Sequence, residues 1–163
     1  MELTGEYSLP AGREAVWRAL NDPELLRRCI PGCEELEQVS ATEFAAKVKS
    51  KIGPVSARFS GRVHLEDLSP PDSYTIRGEG EGGVAGFAKG SARVSLEARA
   101  EATVLRYVAD AQVGGKLAQL GSRVLKGTVQ KLADQFFGSL AAALGGAPTP
   151  GGASVSQPGK EAQ

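Results

Sequence analysis

From Cys33 to Gln112 the chain is a succession of segments in which apolar and polar residues alternate, and only one later stretch is long enough to cover the apolar faces that result. In TEFAAKVKSKI, Phe44, Ala46 and Val48 share one parity against Lys47, Lys49 and Lys51. In VSARFSGRVHLEDL, Phe59, Val63 and Leu65 oppose Arg58, Arg62, His64 and Glu66, and further on Val94, Leu96 and Ala98 oppose Arg93, Glu97 and Arg99. A two-residue period sends successive side chains to opposite faces, so each segment reads as a strand with one wet face and one dry face. CEELEQVS, SYTIRGEGEG and ATVLRYVADAQV complete the set, with turns at Gly53-Pro54, Pro70-Pro71-Asp72 and Gly82-Gly83. The pattern predicts a meandering antiparallel sheet whose dry face must be covered.

The cover is VGGKLAQLGSRVLKGTVQKLADQFF, Val113 to Phe137. At about 100° per residue, Leu117, Gly121, Val124, Leu125, Thr128, Leu132 and Phe136 share one broad face. Lys116, Gln119, Arg123, Lys126, Gln130 and Asp134 occupy the other, with Gly127 on that wet side. Gly114 and Gly115 read as the turn out of the last strand. A glycine inside a helix costs roughly 0.5 to 1 kcal/mol relative to alanine. Gly121 and Thr128 are therefore small residues placed mid-face where a packed core prefers Leu or Ile. Either the sheet approaches closely there, or the room is kept for a ligand.

Ahead of the meander, Glu2 to Leu9 alternates as a short strand, and PAGREAVWRAL starts a helix with Pro10 near its first turn. Asp22 caps a second short helix, PELLRRC, with Pro23 at its first position. The expected organisation is one domain over residues 1–144. Residues 145–163, rich in Gly, Pro and Ser, are expected to be a disordered tail, since they cannot bury enough surface to order themselves.

Nineteen basic and nineteen acidic residues leave no net charge, which argues against a dedicated nucleic-acid binder. The opening MELTGEYSLPAGREAVW lacks the basic and apolar regions of a signal peptide, and no apolar run spans a membrane, so a cytoplasmic protein is expected. Cys29 and Cys33, with His64 as the single histidine, do not make a zinc site or a redox motif; they read as reduced structural thiols. His64 falls on a polar strand face without a partner, and no nucleophile, base and orienting group come together, so neither a metal nor a catalytic set is expected. RGEGEGGVAGFAKG lacks the following helix of a phosphate loop and reads as a glycine-rich hairpin, Glu79 and Glu81 outward, with a small apolar tip from Gly82 to Phe87. The helix end QFFGSLAAALGG is apolar nearly all round, so Phe137, Leu140 and Leu144 are candidates for contact with a protein partner or a membrane interface, or else for packing on the two short helices.

A strand, two short helices, a six-strand meander and a long closing helix is the element order of the START-like helix-grip fold, an α+β architecture in which a curved antiparallel sheet wraps a C-terminal helix. The words PAGREAVWRALNDPELL, CIPGCEEL and ADAQVGGKLAQLGSRVL, with FF downstream, resemble the G-subunit family of carbon monoxide dehydrogenase, within the SRPBCC superfamily. The resemblance implies a non-catalytic accessory protein of aerobic molybdenum-containing CO dehydrogenase, or of a related molybdenum hydroxylase, linked to membrane attachment or electron delivery. It implies an apolar cavity between sheet and helix, for which Phe44, Phe59, Leu65, Leu117, Gly121, Val124 and Thr128 are the expected lining. Electrons from CO must reach a respiratory chain, so a quinone is the sensible ligand, with a lipid as the other apolar choice; no resident cofactor is expected. Peripheral contact with the inner membrane face is the matching location, although the polar tail offers no anchor. The alternative is a cyclase or hydratase on the same fold, which needs polar groups converging inside the cavity.

Overall fold

The fold is described from a computed structural model, covering residues 1–146; the expected tail from residue 147 onward lies outside the described residues. The order is β1 (Glu2–Leu9), α1 (Arg13–Leu20), α2 (Pro23–Cys29), β2 (Cys33–Ser40), β3 (Glu43–Ile52), β4 (Val55–Ser69), β5 (Ser73–Glu81), β6 (Phe87–Arg99), β7 (Ala102–Gly114) and α3 (Gly121–Ala143). Short 3-10 turns occupy Gly83–Ala85 and Gly115–Leu120. The strands form one antiparallel sheet in the order β1-β7-β6-β5-β4-β3-β2, so the meander runs in sequence order and β1 closes against its last strand.

Local chemistry explains the elements. The Asp22 carboxylate accepts from the backbone N–H of Glu24 at 3.0 Å and of Leu25 at 3.3 Å, and Pro23 fills the first helical position, where no N–H is needed. α1 begins later than expected, at Arg13, because Leu9 to Gly12 is used for the turn out of β1, with Ala11 N–H bonded to the Leu9 carbonyl at 2.9 Å.

The cover helix is also shorter than its periodicity predicts. Gly121 has φ +84°, a left-handed conformation that side chains rarely adopt, so the chain breaks direction there and Lys116 to Leu120 wind as a 3-10 turn. Gly121 is thus the first residue of α3, exposed, and not an interior residue of the buried face. Once the helix starts at Gly121, Leu117 no longer shares its phase. Leu125, Ala133, Phe136, Phe137 and Leu140 make up much of its inward side.

The register shows which residues face that helix. Leu96 pairs with Leu105 and Leu105 with Tyr7; Tyr74 pairs with Val94; Leu65 pairs with Ile76. These side chains join Val16, Ala19 and Leu20 of α1, Cys29 of α2 and Leu140 of α3 in one core, in which Val16 and Leu140 have no exposed surface. Thr103 is fully buried, and its hydroxyl donates to the Ala11 carbonyl at 2.7 Å, pinning β7 to the entry of α1. The core therefore fills one end of the grip, under the short helices and the C-terminal half of α3.

Candidate ligand-binding site

Beyond this core, on the same inner face, the register brings small residues into rows. Ala46, Gly61, Gly80 and Ala88 lie side by side across β3 to β6. In the next row Val63, Gly78, Gly90 and Ala111 stand together, and in the one after it Ile76, Ala92 and Ala109. All of these inward residues retain accessible surface, in contrast to the closed core.

Two physical causes can put glycine in a strand: another group approaches, or the space is left open. The geometry separates them. A Cβ placed on Gly80 meets only the Ser60 carbonyl oxygen at 3.7 Å and Gly61 Cα at 4.0 Å; on Gly78 it meets the Arg62 carbonyl oxygen at 3.6 Å and Val63 Cγ2 at 3.7 Å. No atom of α3 lies within 4 Å of either position. Gly90 is the opposite case, since its Cβ falls 2.3 Å from the Asp110 carbonyl oxygen. Gly78 and Gly80 thus face open room between sheet and helix.

The sequence-derived lining is divided by the structure. Phe44 and Leu65 are buried in the packed core, and Phe59, half-buried, stands in the inner face beside Gly82, whose Cβ would fall 2.5 Å from its ring. Leu117 is 2% exposed but belongs to the 3-10 turn, outside the main core cluster. Val124 is 42% exposed, Gly121 is exposed with no atom within 4 Å of its Cβ position, and Thr128 borders a polar groove of about 370 Å³ with Lys49, Lys51, Lys131 and Gln135. The positive φ at Gly121 re-phases the helix and moves these three away from the expected face. The glycines that do open space, Gly78 and Gly80, give only hairpin curvature when the segment is considered alone; the signal that marks them is their spacing in RGEGEG, where every second residue has the inward parity.

The apolar helix end is likewise corrected. Leu140 is fully buried, Phe137 stacks on Tyr7 with centroids 4.3 Å apart, and Leu144 packs on the core, so these three are not a free surface for a partner or membrane. The exposed apolar residues lie elsewhere, among them Val84 at 84% and Phe87 at 43% at the β5–β6 connection.

Polar groups also reach the inner face. The Tyr7 hydroxyl donates to Asp134 Oδ1 at 2.8 Å, and Gln130 Nε2 donates to the same oxygen at 3.0 Å. Burial first, then the hydrogen bond to Asp134, raises the Tyr7 phenol well above its ordinary value. Burial also raises the Cys29 and Cys33 thiols, which are free and protonated as structural thiols are. His64 is exposed, with Nδ1 at 4.0 Å from Glu43 Oε1. No group of three or more His, Cys, Asp or Glu suited to a metal occurs among the described residues.

The outer face is a charged surface. An open trough of about 630 Å³ runs across it, lined by Glu35, Lys47, Arg62, Glu79, Glu81 and Lys89 among others. Cross-strand ion pairs flank it, including Arg77 Nε to Glu66 at 2.8 Å and Arg106 to Glu6 at 3.0 Å and to Glu97 at 2.6 Å. Such exposed pairs add little stability each, and this lining does not suit an apolar ligand.

A curved antiparallel sheet gripping one long helix, with open room over small inward residues, defines a START-like helix-grip protein. A structure of a conserved protein from Geobacillus kaustophilus is similar at 32% identity and a TM-score of 0.83, covering 88% of this chain and 95% of that one. Proteins from Chromobacterium violaceum (16% identity, TM-score 0.66, 86% of this chain and 95% of that one) and Thermus thermophilus (19%, 0.61, 88% and 99%) share the fold. No curated protein matches the chain. The family model of the carbon monoxide dehydrogenase G subunit (CoxG) matches residues 5–145, and the chain belongs to that family. Membership suggests an accessory role associated with CO dehydrogenase. Among the described residues, no helix is long and apolar enough to cross a membrane.

Proposed function

We propose that this chain is a carrier of an apolar ligand, a quinone or a lipid, acting as a non-catalytic accessory of CO dehydrogenase or a related molybdenum hydroxylase in membrane attachment or electron delivery. The observation that carries the reading is the open room over Gly78 and Gly80, where an added Cβ meets sheet atoms only. A strand glycine that packs against nothing weakens its strand, so its presence is accounted for by what the space admits. The surrounding inward residues, Ala46, Ala88, Ala92 and Phe59, offer apolar surface and no charge, which suits a ring and an isoprenoid or acyl chain. Binding rather than turnover is favoured because no activated nucleophile or acid–base pair lines this room among the described residues; the Tyr7, Gln130 and Asp134 cluster is the only support for the cyclase or hydratase alternative.

The test is mass spectrometry of an organic extract from the purified chain, expressed in a host that makes quinones, beside a Gly80→Leu variant. The expected result is a stoichiometric quinone or lipid in the parent and none in a variant that still unfolds cooperatively. A parent that is empty and takes up no added quinone overturns the reading.

A further inference from the structure

The floor of the open room is polar. Tyr107 of β7 pairs with Gly5 of β1, and Tyr7 with Leu105, so both phenols stand on the inner face where the packed core gives way to Ala109 and Ala111. Their rings are stacked with centroids 6.5 Å apart, and Phe137 stacks over both. The two hydroxyls differ in what they have left to offer. The Tyr7 proton is committed to Asp134 Oδ1 at 2.8 Å, and Gln130 Nε2 reaches the Tyr7 oxygen at 3.4 Å and the same Oδ1 at 3.0 Å. Tyr107 donates to no described acceptor, and it keeps accessible surface where Tyr7 is 5% exposed.

The sequence makes room for Tyr107. Its ring lies across Gly5, where a Cβ would stand 2.3 Å from Cε2 and 2.8 Å from the hydroxyl oxygen, so any other residue at position 5 displaces the phenol. Burial, and then the Asp134 charge, raise its pKa against a smaller opposite effect of the Tyr7 hydroxyl, so the group is a neutral O–H donor at any physiological pH. A neutral donor with an apolar ring, beside an apolar space, matches a ligand that is apolar except for an acceptor oxygen.

We propose that Tyr107, held in place by Gly5 and the Tyr7–Asp134–Gln130 cluster, donates a hydrogen bond to a ring carbonyl of the ligand and so selects quinones over hydrocarbons and plain acyl chains. The assignment rests on the carrier reading and adds to it the polar point of recognition. A site built to hydrogen-bond one oxygen discriminates against the analogue without it, because the donor is then left desolvated and unpaired.

The experiment compares two probes on the full chain by titration calorimetry: menadione, and methylnaphthalene, the hydrocarbon of the same skeleton. The parent should bind menadione more tightly, and Tyr107→Phe should bind it roughly fivefold to tenfold more weakly while its affinity for methylnaphthalene is unchanged. The infrared carbonyl stretch of bound menadione should lie at lower frequency in the parent than in Tyr107→Phe, a signature that a merely structural tyrosine does not move. Unchanged menadione affinity and carbonyl frequency in Tyr107→Phe overturn the assignment. Equal binding of both probes by the parent overturns it while leaving the carrier reading intact, and binding of neither overturns both.

Discussion

Replacing Gly80 by alanine asks directly whether the inner face is open or packed. The added Cβ meets no atom nearer than 3.7 Å, and Gly80 has no positive φ to strain. With neither a clash nor strain, the dominant effect lies in the unfolded chain, whose freedom the methyl reduces; folding should gain about 0.4 to 1 kcal/mol. Gly90→Ala is the internal control, because the same methyl would stand 2.3 Å from the Asp110 carbonyl oxygen and 3.0 Å from Ala111 Cα, both backbone atoms of β7 that cannot swing away. Overpacking of that kind costs about 1 to 3 kcal/mol, so the two variants should differ by roughly 2 kcal/mol or more. For a domain of this size that is a separation of roughly 4 to 8 °C in Tm, readable by calorimetry alongside urea unfolding. If Gly80→Ala and Gly78→Ala lose as much stability as Gly90→Ala, the room over β5 is filled by something the helix presses against it, and the reasoning fails.

Leu140→Ala should destabilise the domain by about 2 to 5 kcal/mol, as deletion of a fully buried side chain does, where a membrane-contact residue would be nearly neutral; denaturant unfolding decides. Thr103→Val keeps the shape but strands the Ala11 carbonyl inside the fold, so a loss of about 1 to 3 kcal/mol is expected in the same assay. The phenols of Tyr7 and Tyr74 are raised above their ordinary value of 10.0, chiefly by burial, so the folded state holds their protons more tightly than the unfolded state. Their contribution is complete below pH 10.0 and is lost as pH climbs above it; equilibrium unfolding followed through alkaline pH should show that decline, and a smaller one in Tyr7→Phe.

Much of the architecture was legible because strands with one wet face repeat the same local rule. The parity of Phe44, Val63 and Leu65 against Lys47, Arg62 and His64 reappears as the two faces of the sheet, and Asp22-Pro23 marks the start of α2 without help from any distant residue. The lining of the site was not legible in that way. Helical periodicity puts Gly121 at the centre of a buried face, yet its φ of +84° ends that periodicity, and a backbone conformation is not visible in an apolar pattern. Phe137 and Leu140 look like an exposed apolar end because no local rule says that β1 and α1 lie beneath them.

What the chain determined by itself is the set of elements, their faces and the family to which it belongs, since alternation, capping and turn residues act over a few neighbouring positions. Only the tertiary structure decided which of its glycines matter. Gly5, Gly78, Gly80 and Gly90 are alike in sequence, all lone glycines on inward strand positions, but one yields to a tyrosine ring, one to a neighbouring backbone and two to empty space. That difference is set by cross-strand register and by how far the helix stands from the sheet, distances that arise only when segments remote in the chain come together.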